Sequence, residues 1–400
     1  LQRGYRVPAD AETMPYRYLD TADGAASFLS SIESVREIAV DTEGASYHRF
    51  VDRVYLLQLS TRARTAIIDP LAAGKLGALG ALLEDPAVEV VFHDADYDLR
   101  LLHQDYGWHS RNIFDTRIAA QLTGVRAFGL AALLERYFGT KLDKKFQRAD
   151  WSMRPLSQGM LDYAVQDTLH LLELRDQLRA NLERLGRTSW AAEEFARLEG
   201  TRWDAEPDDL AWMRTKGARE LTRRELAVFR ELAVWRDGVA REFDKASFRV
   251  IGNEALFAAA RTAPTTVGAL AAVKGMPRGL LERRGEEAMA AIARGLAVPD
   301  AQLPKFPRAA RWERDPQFED RAAALRRVRD AEAQRLDLDP GVLCSRDRLE
   351  AVARRNPATM DELGEVREMR RWQIAELGEE FLAALRTVKP PKKSGEAPSA

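Results

Sequence analysis

The residue pattern of this chain changes at about Leu210, and that change constrains the fold more than any other feature. From about Tyr16 to about Leu185, short β-rich runs alternate with helical stretches. The runs are IAV at 38–40, VYLLQLS at 54–60, TAIID at 65–69 and VEVVF at 88–92. After Leu210 the strand signal disappears, and Ala, Leu, Arg and Glu recur with helical spacing. The sequence therefore predicts an α/β domain with a central sheet, followed by an all-α half.

The helical half contains an internal repeat. FRVIGNEALFAAARTAPTTVGALAAVKGM can be laid over PGVLCSRDRLEAVARRNPATMDELGEVREM so that seven residues match at a constant offset. Leu256, Ala260, Arg261, Pro264, Leu270, Val273 and Met276 match Leu349, Ala353, Arg354, Pro357, Leu363, Val366 and Met369. Two copies of one small helical module explain this match. VPDAQLPKFPRAARWERDP between the copies is typical of a linker, and the final KPPKKSGEAPSA predicts a disordered basic tail.

The composition is that of an ordinary soluble globular protein. Of 400 residues, 46% are hydrophobic and 31% charged, so the chain can bury several cores. Lys and Arg total 61 against 62 for Asp and Glu, so local basic patches would have to bind any polyanion. The single Cys344 excludes an internal disulfide framework, and no apolar run reaches the about 18 residues of a membrane helix. The start, LQRGYRVPAD, lacks the order of a secretory signal, and we therefore expect a cytoplasmic location.

Two acidic residues end the first predicted strand. In IAVDTEG at 38–44, Asp41 and Glu43 are two residues apart, so their side chains project from one face of the strand. Taken alone, Asp-x-Glu is more often a strand that ends in a polar turn than a catalytic pair.

The strand VEVVF runs into a second acidic block. Asp98 lies beside Leu99 and Leu101 at the start of a predicted helix, where an inward-facing acid needs a ligand. His93, at the strand end, could hydrogen-bond to a metal ligand, or it could be a structural histidine held by backbone.

A third acidic residue lies in MLDYAVQDTLHLLELRDQL at 160–178, which predicts one amphipathic helix. Tyr163 and Asp167 are four residues apart and share a face of that helix, although a packing helix with a partly exposed Asp is the better explanation of this segment taken alone. Together, four such acids would raise one another's pKa values unless a cation neutralised them. Oxygen ligands, without a Cys cluster or paired histidines, indicate Mg²⁺ or Mn²⁺, and two such ions can activate water and stabilise a leaving oxygen. The set predicts metal-dependent phosphodiester hydrolysis.

Two short segments could bind a single nucleic-acid strand through basic groups and aromatic faces. The candidates are Lys144, Lys145, Arg148, Trp151 and Arg154 in KKFQRADWSMR, and His48, Arg49 and Phe50 after the first acidic pair. The alternatives are a solvated loop whose Trp151 packs into the core and a plain surface turn at 48–50.

These motifs resemble a known family. Asp41-Thr-Glu43, the block from His93 to Asp98 and Tyr163-x-x-x-Asp167 resemble the three exonuclease motifs of the DEDDy branch of the DnaQ-like (RNase H-like) 3′–5′ exonucleases. LDKKFQRADWSMRPLSQGMLDYAVQDTLHLL is similar to the signature of ribonuclease D. The two helical repeats resemble HRDC modules, and the first, with WRDGVAREFD, is the clearer match.

The resemblance implies a multidomain chain, with an α/β RNase H-like exonuclease domain around a mixed central sheet and two all-α HRDC domains. The expected boundaries are an extension at 1–15, the exonuclease domain at 16–205, the first HRDC domain at 210–297, a linker at 298–316, a divergent second HRDC-like domain at 317–388 and the tail at 389–400.

The resemblance also implies roles for five residues. Asp41 would bridge two divalent cations, Glu43 and Asp167 would complete one metal site, and Asp98 would support the other, partly through water. Tyr163 would orient the attacking water, because a phenol with a pKa of about 10 stays protonated at neutral pH.

The implied function is that of a monomer that trims RNA from the 3′ end and releases 5′-mononucleotides, with tRNA precursors as the typical substrate and no membrane or obligate protein partner. One alternative is a 3′–5′ DNA exonuclease in repair, and the other is a non-catalytic nucleic-acid scaffold. The residues alone do not show whether RNA or DNA is the substrate, because that discrimination needs contacts to the 2′-hydroxyl.

Overall fold

The computed structural model describes residues 16–143, 145–204, 208–306 and 315–388, with the side chains of 208–210 left out. The predicted extension at 1–15, the predicted tail at 389–400, Lys144 and part of the predicted linker lie outside the described residues.

A six-stranded mixed sheet forms the centre of the α/β half. Its strands are β1 (Arg17–Leu19), β2 (Glu37–Glu43), β3 (Leu56–Ser60), β4 (Thr65–Ile68), β5 (Glu89–Phe92) and β6 (Ile113–Asp115). They are ordered β1-β4-β3-β2-β5-β6, and β3 runs antiparallel to both of its neighbours while the other pairs are parallel. Apolar runs predicted four of these strands. β1 and β6 have three residues each, which is too short to show a period.

Helices cover the sheet on both faces. They are α1 (Ala22–Ser30), α2 (Pro70–Ala73), α3 (Gly77–Glu84), α4 (Asp96–Tyr106), α5 (Thr116–Leu122), α6 (Leu130–Phe138), α7 (Gln158–Ala164), α8 (Gln166–Leu169), α9 (Leu171–Arg184) and α10 (Thr188–Leu198). Because side chains alternate along a strand, Leu57 and Leu59 of β3 join one apolar core, whereas Leu56 joins another with Leu161 and Val165.

The single helix predicted at 160–178 is wrong, because α7, α8 and α9 divide this segment. His170 (φ −109°, ψ 8°) leaves the helical region and ends α8. Val165 keeps helical angles (φ −62°, ψ −26°) between α7 and α8, so the turn from Tyr163 to Asp167 is preserved. The hydroxyls of Thr168 and Ser60 lie 2.9 Å apart and tie α8 to β3.

The first helical module, described over 208–306, has a core of its own. It comprises 3-10 helices at Asp208–Arg214, Ala218–Glu220 and Asp300–Gln302, with α11 (Arg223–Glu242), α12 (Ser247–Val250), α13 (Asn253–Thr262), α14 (Val267–Ala271) and α15 (Arg278–Ala297). A capping box starts α11, since Thr222 and Glu225 each accept the other's backbone N–H through their side chains. Gly295 of α15 lies so close to α11 that a Cβ there would stand 2.5 Å from the Val228 Cα.

The second helical module, described over 315–388, repeats this order of helices. Its helices are α16 (Phe318–Arg335), α17 (Pro340–Leu343), α18 (Arg346–Arg355), α19 (Met360–Gly364) and α20 (Arg371–Thr387). The matched residues Leu256 and Leu349 are both buried in equivalent helices, as are Leu270 and Leu363, so the predicted repeat is confirmed.

The two modules attach to the α/β half in different ways. The second shares one continuous apolar core with it, in which Trp190 of α10 stacks on Trp372 of α20 with ring centroids 4.7 Å apart. The Trp372 indole N–H also donates to Glu194 at 3.0 Å. The first module instead contacts a surface loop, where the Ala246 amide donates to the His48 carbonyl at 3.1 Å. Within the described ranges, no helix combines the length and apolar character needed to cross a bilayer.

Candidate metal centre and active site

Three carboxylates converge where β2 ends beneath α8. Asp41, Glu43 and Asp167 each offer one oxygen, and these oxygens lie within 4.8 Å of one another. The two-residue spacing on β2 brings the first two side chains to one face of the sheet, and α8 crosses β2 and β3 on that face. The sequence prediction that these acids meet is therefore supported by the geometry.

The pKa values of all three acids are raised. Burial raises the pKa of Asp41 well above its ordinary value, and the carboxylates of Asp98 and Asp167 raise it further. Burial, followed by the charge of Asp167, has the same effect on the pKa of Glu43. Burial also raises the pKa of Asp167 to about 7.

A divalent cation fits this set of donors. The ligand atoms are carboxylate oxygens, which hard cations such as Mg²⁺ prefer, and a cation would remove the repulsion that raises the pKa values. The three carboxylates of Asp41, Glu43 and Asp167 could therefore hold a divalent ion.

Asp98 lies beside this cluster and is not one of the three converging acids. It is buried in the first turn of α4, and its Oδ1 accepts hydrogen bonds from the Thr42 amide at 2.9 Å and the Thr42 hydroxyl at 2.6 Å. Burial raises the pKa of Asp98 to about 7, although the Thr42 hydrogen bonds act in the opposite direction. Thr42 was not among the predicted site residues, although strand alternation directs its side chain away from Asp41 and towards α4.

Tyr163 adjoins the three acids on the helical side. Burial and the charges of Asp167 and Glu43 raise the pKa of its phenol, so the hydroxyl keeps its proton at neutral pH. The rings of Phe146 and Trp151 each lie with centroids 6.1 Å from that of Tyr163. The phenol can therefore donate a hydrogen bond next to the carboxylates.

A cavity of about 400 Å³ opens beside Tyr163 and Asp167. It is lined further by Lys141, Leu142, Asp143, Lys145, Phe146, Gly159, Asp162 and Gln166. Lys145 is exposed, and its Nζ lies 5.3 Å from the centre of the Phe146 ring. A side chain at Gly159 would bring a Cβ to 3.3 Å from that ring, so glycine keeps the Phe146 wall in place. Neither Lys141 nor Gln166 was predicted, because Lys141 lies just before the segment that resembles the ribonuclease D signature and Gln166 stands at an unspecified position of Tyr163-x-x-x-Asp167.

The side chains of Trp151 and Arg154 both make contacts inside the protein. Trp151 is 2% exposed and packs in the core beneath α7, which is the alternative that the sequence left open. The Arg154 guanidinium pairs with Asp69 and donates to the carbonyls of Trp151 and Tyr55, each at 2.7 Å. Trp151 therefore offers no open face for stacking on a base.

The loop after Glu43 connects β2 to two other segments through hydrogen bonds. The His48 Nε2 lies 3.0 Å from the Arg148 carbonyl, and Arg49 Nε donates to Ser152 at 2.5 Å. The Phe50 amide donates to Asp244 of the first helical module at 3.3 Å. Arg148 itself is exposed, with its guanidinium 6.0 Å from the centre of the Tyr47 ring.

His93 directly follows β5 and is not one of the three converging acids. Its Nδ1 lies 2.9 Å from the Thr116 hydroxyl, which in turn donates to the Phe92 carbonyl. Burial, with a contribution from the Arg117 charge, lowers the pKa of His93 to about 4, so the ring is neutral at pH 7.

Known proteins match both halves of the chain. A model of the 3′–5′ exonuclease family matches residues 16–183, and a model of the HRDC domain matches residues 225–292 and 318–385. Ribonuclease D of Gluconacetobacter diazotrophicus is 34% identical over 67% of this chain and 69% of its own length. Ribonuclease D of Escherichia coli K12 is 30% identical over 73% of this chain and 78% of its own length.

Two solved structures extend the similarity to the whole architecture. E. coli RNase D, described as an exoribonuclease involved in structured RNA processing, superposes with a TM-score of 0.71 at 25% identity, over 93% of this chain and 99% of that one. A protein from Bifidobacterium adolescentis superposes with a TM-score of 0.82 at 26% identity, over 94% of this chain and 98% of its own. The predicted fold class, an exonuclease domain with a mixed sheet followed by two HRDC modules, is confirmed. The chain belongs to the ribonuclease D family of 3′–5′ exonucleases.

Proposed function

We propose that the protein is a 3′–5′ exoribonuclease that hydrolyses phosphodiester bonds at the 3′ end of RNA and releases 5′-mononucleotides. The observation that carries this proposal is the convergence of Asp41, Glu43 and Asp167 within 4.8 Å, beside a protonated Tyr163 and an open cavity. Membership of the ribonuclease D family supplies the 3′ polarity and the choice of RNA.

Asp41, Glu43 and Asp167 would hold two divalent cations, Mg²⁺ or Mn²⁺, with Asp98 supporting the second site from the Thr42 side. When bound, such ions lower the pKa of a water and stabilise negative charge on the leaving oxygen. Tyr163 would donate a hydrogen bond to the attacking water and so fix the direction of attack, because the raised pKa keeps the phenol protonated. Thr42 fixes the carboxyl of Asp98 through two hydrogen bonds.

The substrate strand would enter through the cavity beside Asp167. Lys145 and Lys141 supply positive charge to phosphates there, and the Phe146 ring offers a face to a base. Of the other predicted contacts, Arg148 is an exposed cation that could contact the substrate directly. His48, Arg49 and Phe50 would contribute indirectly, by fixing the loop after β2 through their hydrogen bonds. We expect single-stranded 3′ ends of structured precursors, such as those of tRNA, to be the substrates. We expect the enzyme to work as a cytoplasmic monomer.

The test compares matched 3′-labelled RNA and DNA strands with Mg²⁺ or Mn²⁺ added. We expect stepwise shortening of RNA, and a fall of at least about 10³-fold in rate for Asp41→Asn, with RNA binding retained. Preferential degradation of DNA would assign the protein to the DNA exonucleases. Binding of RNA without hydrolysis by the wild type would favour the scaffold alternative.

A further inference from the structure

Gln58 is a buried polar residue whose side chain has no partner. It lies in the middle of β3 with no exposed surface, and neither its amide nitrogen nor its amide oxygen makes a hydrogen bond among the described residues. Leaving an amide buried and unpaired is unfavourable, so a fold that retains one usually supplies a partner in some state of the molecule.

The register of the sheet identifies the partner. Gln58 lies directly opposite Asp41 in the antiparallel pair of β3 and β2. Residues opposite each other in such a pair project from the same face, with Cβ atoms about 5 Å apart. An extended glutamine amide spans that distance, so it can reach the carboxylate of Asp41 or a water bound to it.

The other neighbours of Gln58 on this face offer little to its amide. Leu56 precedes it by two residues in β3, and Ile67 lies opposite it on β4, and both are apolar. Ser60, two residues further along, already pairs with the hydroxyls of Thr65 and Thr168. Asp41 lies directly opposite the amide, whereas Glu43, the other acid on this face of β2, lies opposite Leu56, so Asp41 is the nearer acceptor in the register.

We propose that Gln58 is a positioning residue for the metal centre, which donates a hydrogen bond from its amide to the Asp41 carboxylate, directly or through one water, when a divalent cation is bound. The proposal rests on the proposed function, because it assigns Asp41 to the metal. An ionised carboxylate that binds a cation accepts such a bond most strongly, and the bond fixes which oxygen faces the ion.

The test replaces the amide with an apolar group of similar size. It measures metal binding directly and does not rely on nuclease activity. We expect Gln58→Leu to raise the melting temperature of the metal-free protein, since an unpaired buried amide is removed. The same change should weaken Mg²⁺ binding by about 10-fold in calorimetric titration. Gln58→Met provides a second variant if the leucine protein does not fold.

Ser60→Ala is the matched control, because it removes a buried polar group of the same strand face that is already paired. It should lower the melting temperature of the metal-free protein and leave Mg²⁺ affinity unchanged. Gln58→Leu protein that binds Mg²⁺ as tightly as the wild type, or that is less stable without metal, would overturn the proposal. If the wild type itself neither binds Mg²⁺ nor shortens RNA, the proposed function fails instead.

Discussion

Thr42 fixes Asp98, because its amide and its hydroxyl both donate to the same carboxylate oxygen of that acid, at 2.9 and 2.6 Å. Thr42 stands between Asp41 and Glu43 on β2, so one short strand carries two acids of the site and orients a third. The position of α4 relative to the sheet therefore depends on a residue that lies between two acids of the candidate site.

Replacing Thr42 with valine should weaken both the fold and the site. The change keeps the shape of the side chain and removes its hydroxyl, which leaves a buried acceptor with one bond fewer. We expect a loss of about 1–3 kcal/mol in the free energy of unfolding, measured by urea denaturation. We also expect a fall of about 10- to 100-fold in RNA hydrolysis. Thr42→Ser retains the hydroxyl and should stay near the wild type, and equal behaviour of the valine and serine proteins would argue against this role.

The metal-free protein should become less stable as the pH rises. Asp98 and Asp167 have pKa values of about 7 in the folded state, and acids of this type ionise at about pH 4 in the unfolded chain. The folded state therefore binds these protons more tightly, and the resulting stability is fully present below about pH 4 and is lost as the pH rises through about 7. Melting temperatures measured in EDTA from pH 5 to 8 should fall, and Asp167→Asn should reduce the slope. Saturating Mg²⁺ should largely remove this dependence of melting temperature on pH. A melting temperature in EDTA that does not change with pH would count against the buried acidic cluster.

Tyr163→Phe should slow hydrolysis without weakening metal binding. Because the raised pKa keeps the phenol protonated, its loss removes one hydrogen bond to the attacking water and removes no base. We expect kcat to fall by about 10- to 100-fold, with Mg²⁺ affinity unchanged in titration. The shape of the pH–rate profile should also persist. Disappearance of a basic limb in the phenylalanine variant would instead identify Tyr163 as a titrating group.

Trp372→Ala should destabilise the exonuclease domain although the residue lies in the second helical module. Its ring stacks on Trp190 within a core that both parts share, so truncation should cost about 3–5 kcal/mol in unfolding free energy. We expect nuclease activity and helical circular dichroism to be lost together at a lower urea concentration.

Phe229→Ala in the separate core of the first module provides the comparison. It should lower the unfolding midpoint of that module and leave the midpoint for loss of activity close to that of the wild type. Independent unfolding of the exonuclease domain and the second module in the Trp372→Ala protein would contradict a shared core.

Local periodicity predicted a large part of this molecule. The two-residue spacing of Asp41 and Glu43 was enough to place both on one strand face, and the repeated positions of Leu256 and Leu349 were enough to reveal two equivalent helices. These features depend on residues that are close in sequence, so the residue pattern alone predicts them.

The parts that the sequence did not predict depend on distant residues. Arg154 looked like a contact to nucleic acid until the fold brought Asp69 to its guanidinium. For Trp151 the sequence left stacking on a base and packing in the core equally open, and only the fold shows that the ring is buried beneath α7. Gln58 reads as one polar residue in an apolar strand, and only the register with β2 shows that Asp41 lies opposite.

The stack of Trp190 on Trp372 has a consequence for biosynthesis. Domains form during translation in order of their appearance, yet the apolar face of α10 is covered by a helix that follows the whole first module. A nascent chain that has completed its catalytic half therefore still displays this face as it leaves the ribosome. Apolar residues of α10 such as Trp190 should therefore be accessible to chaperones until the second helical module has been synthesised.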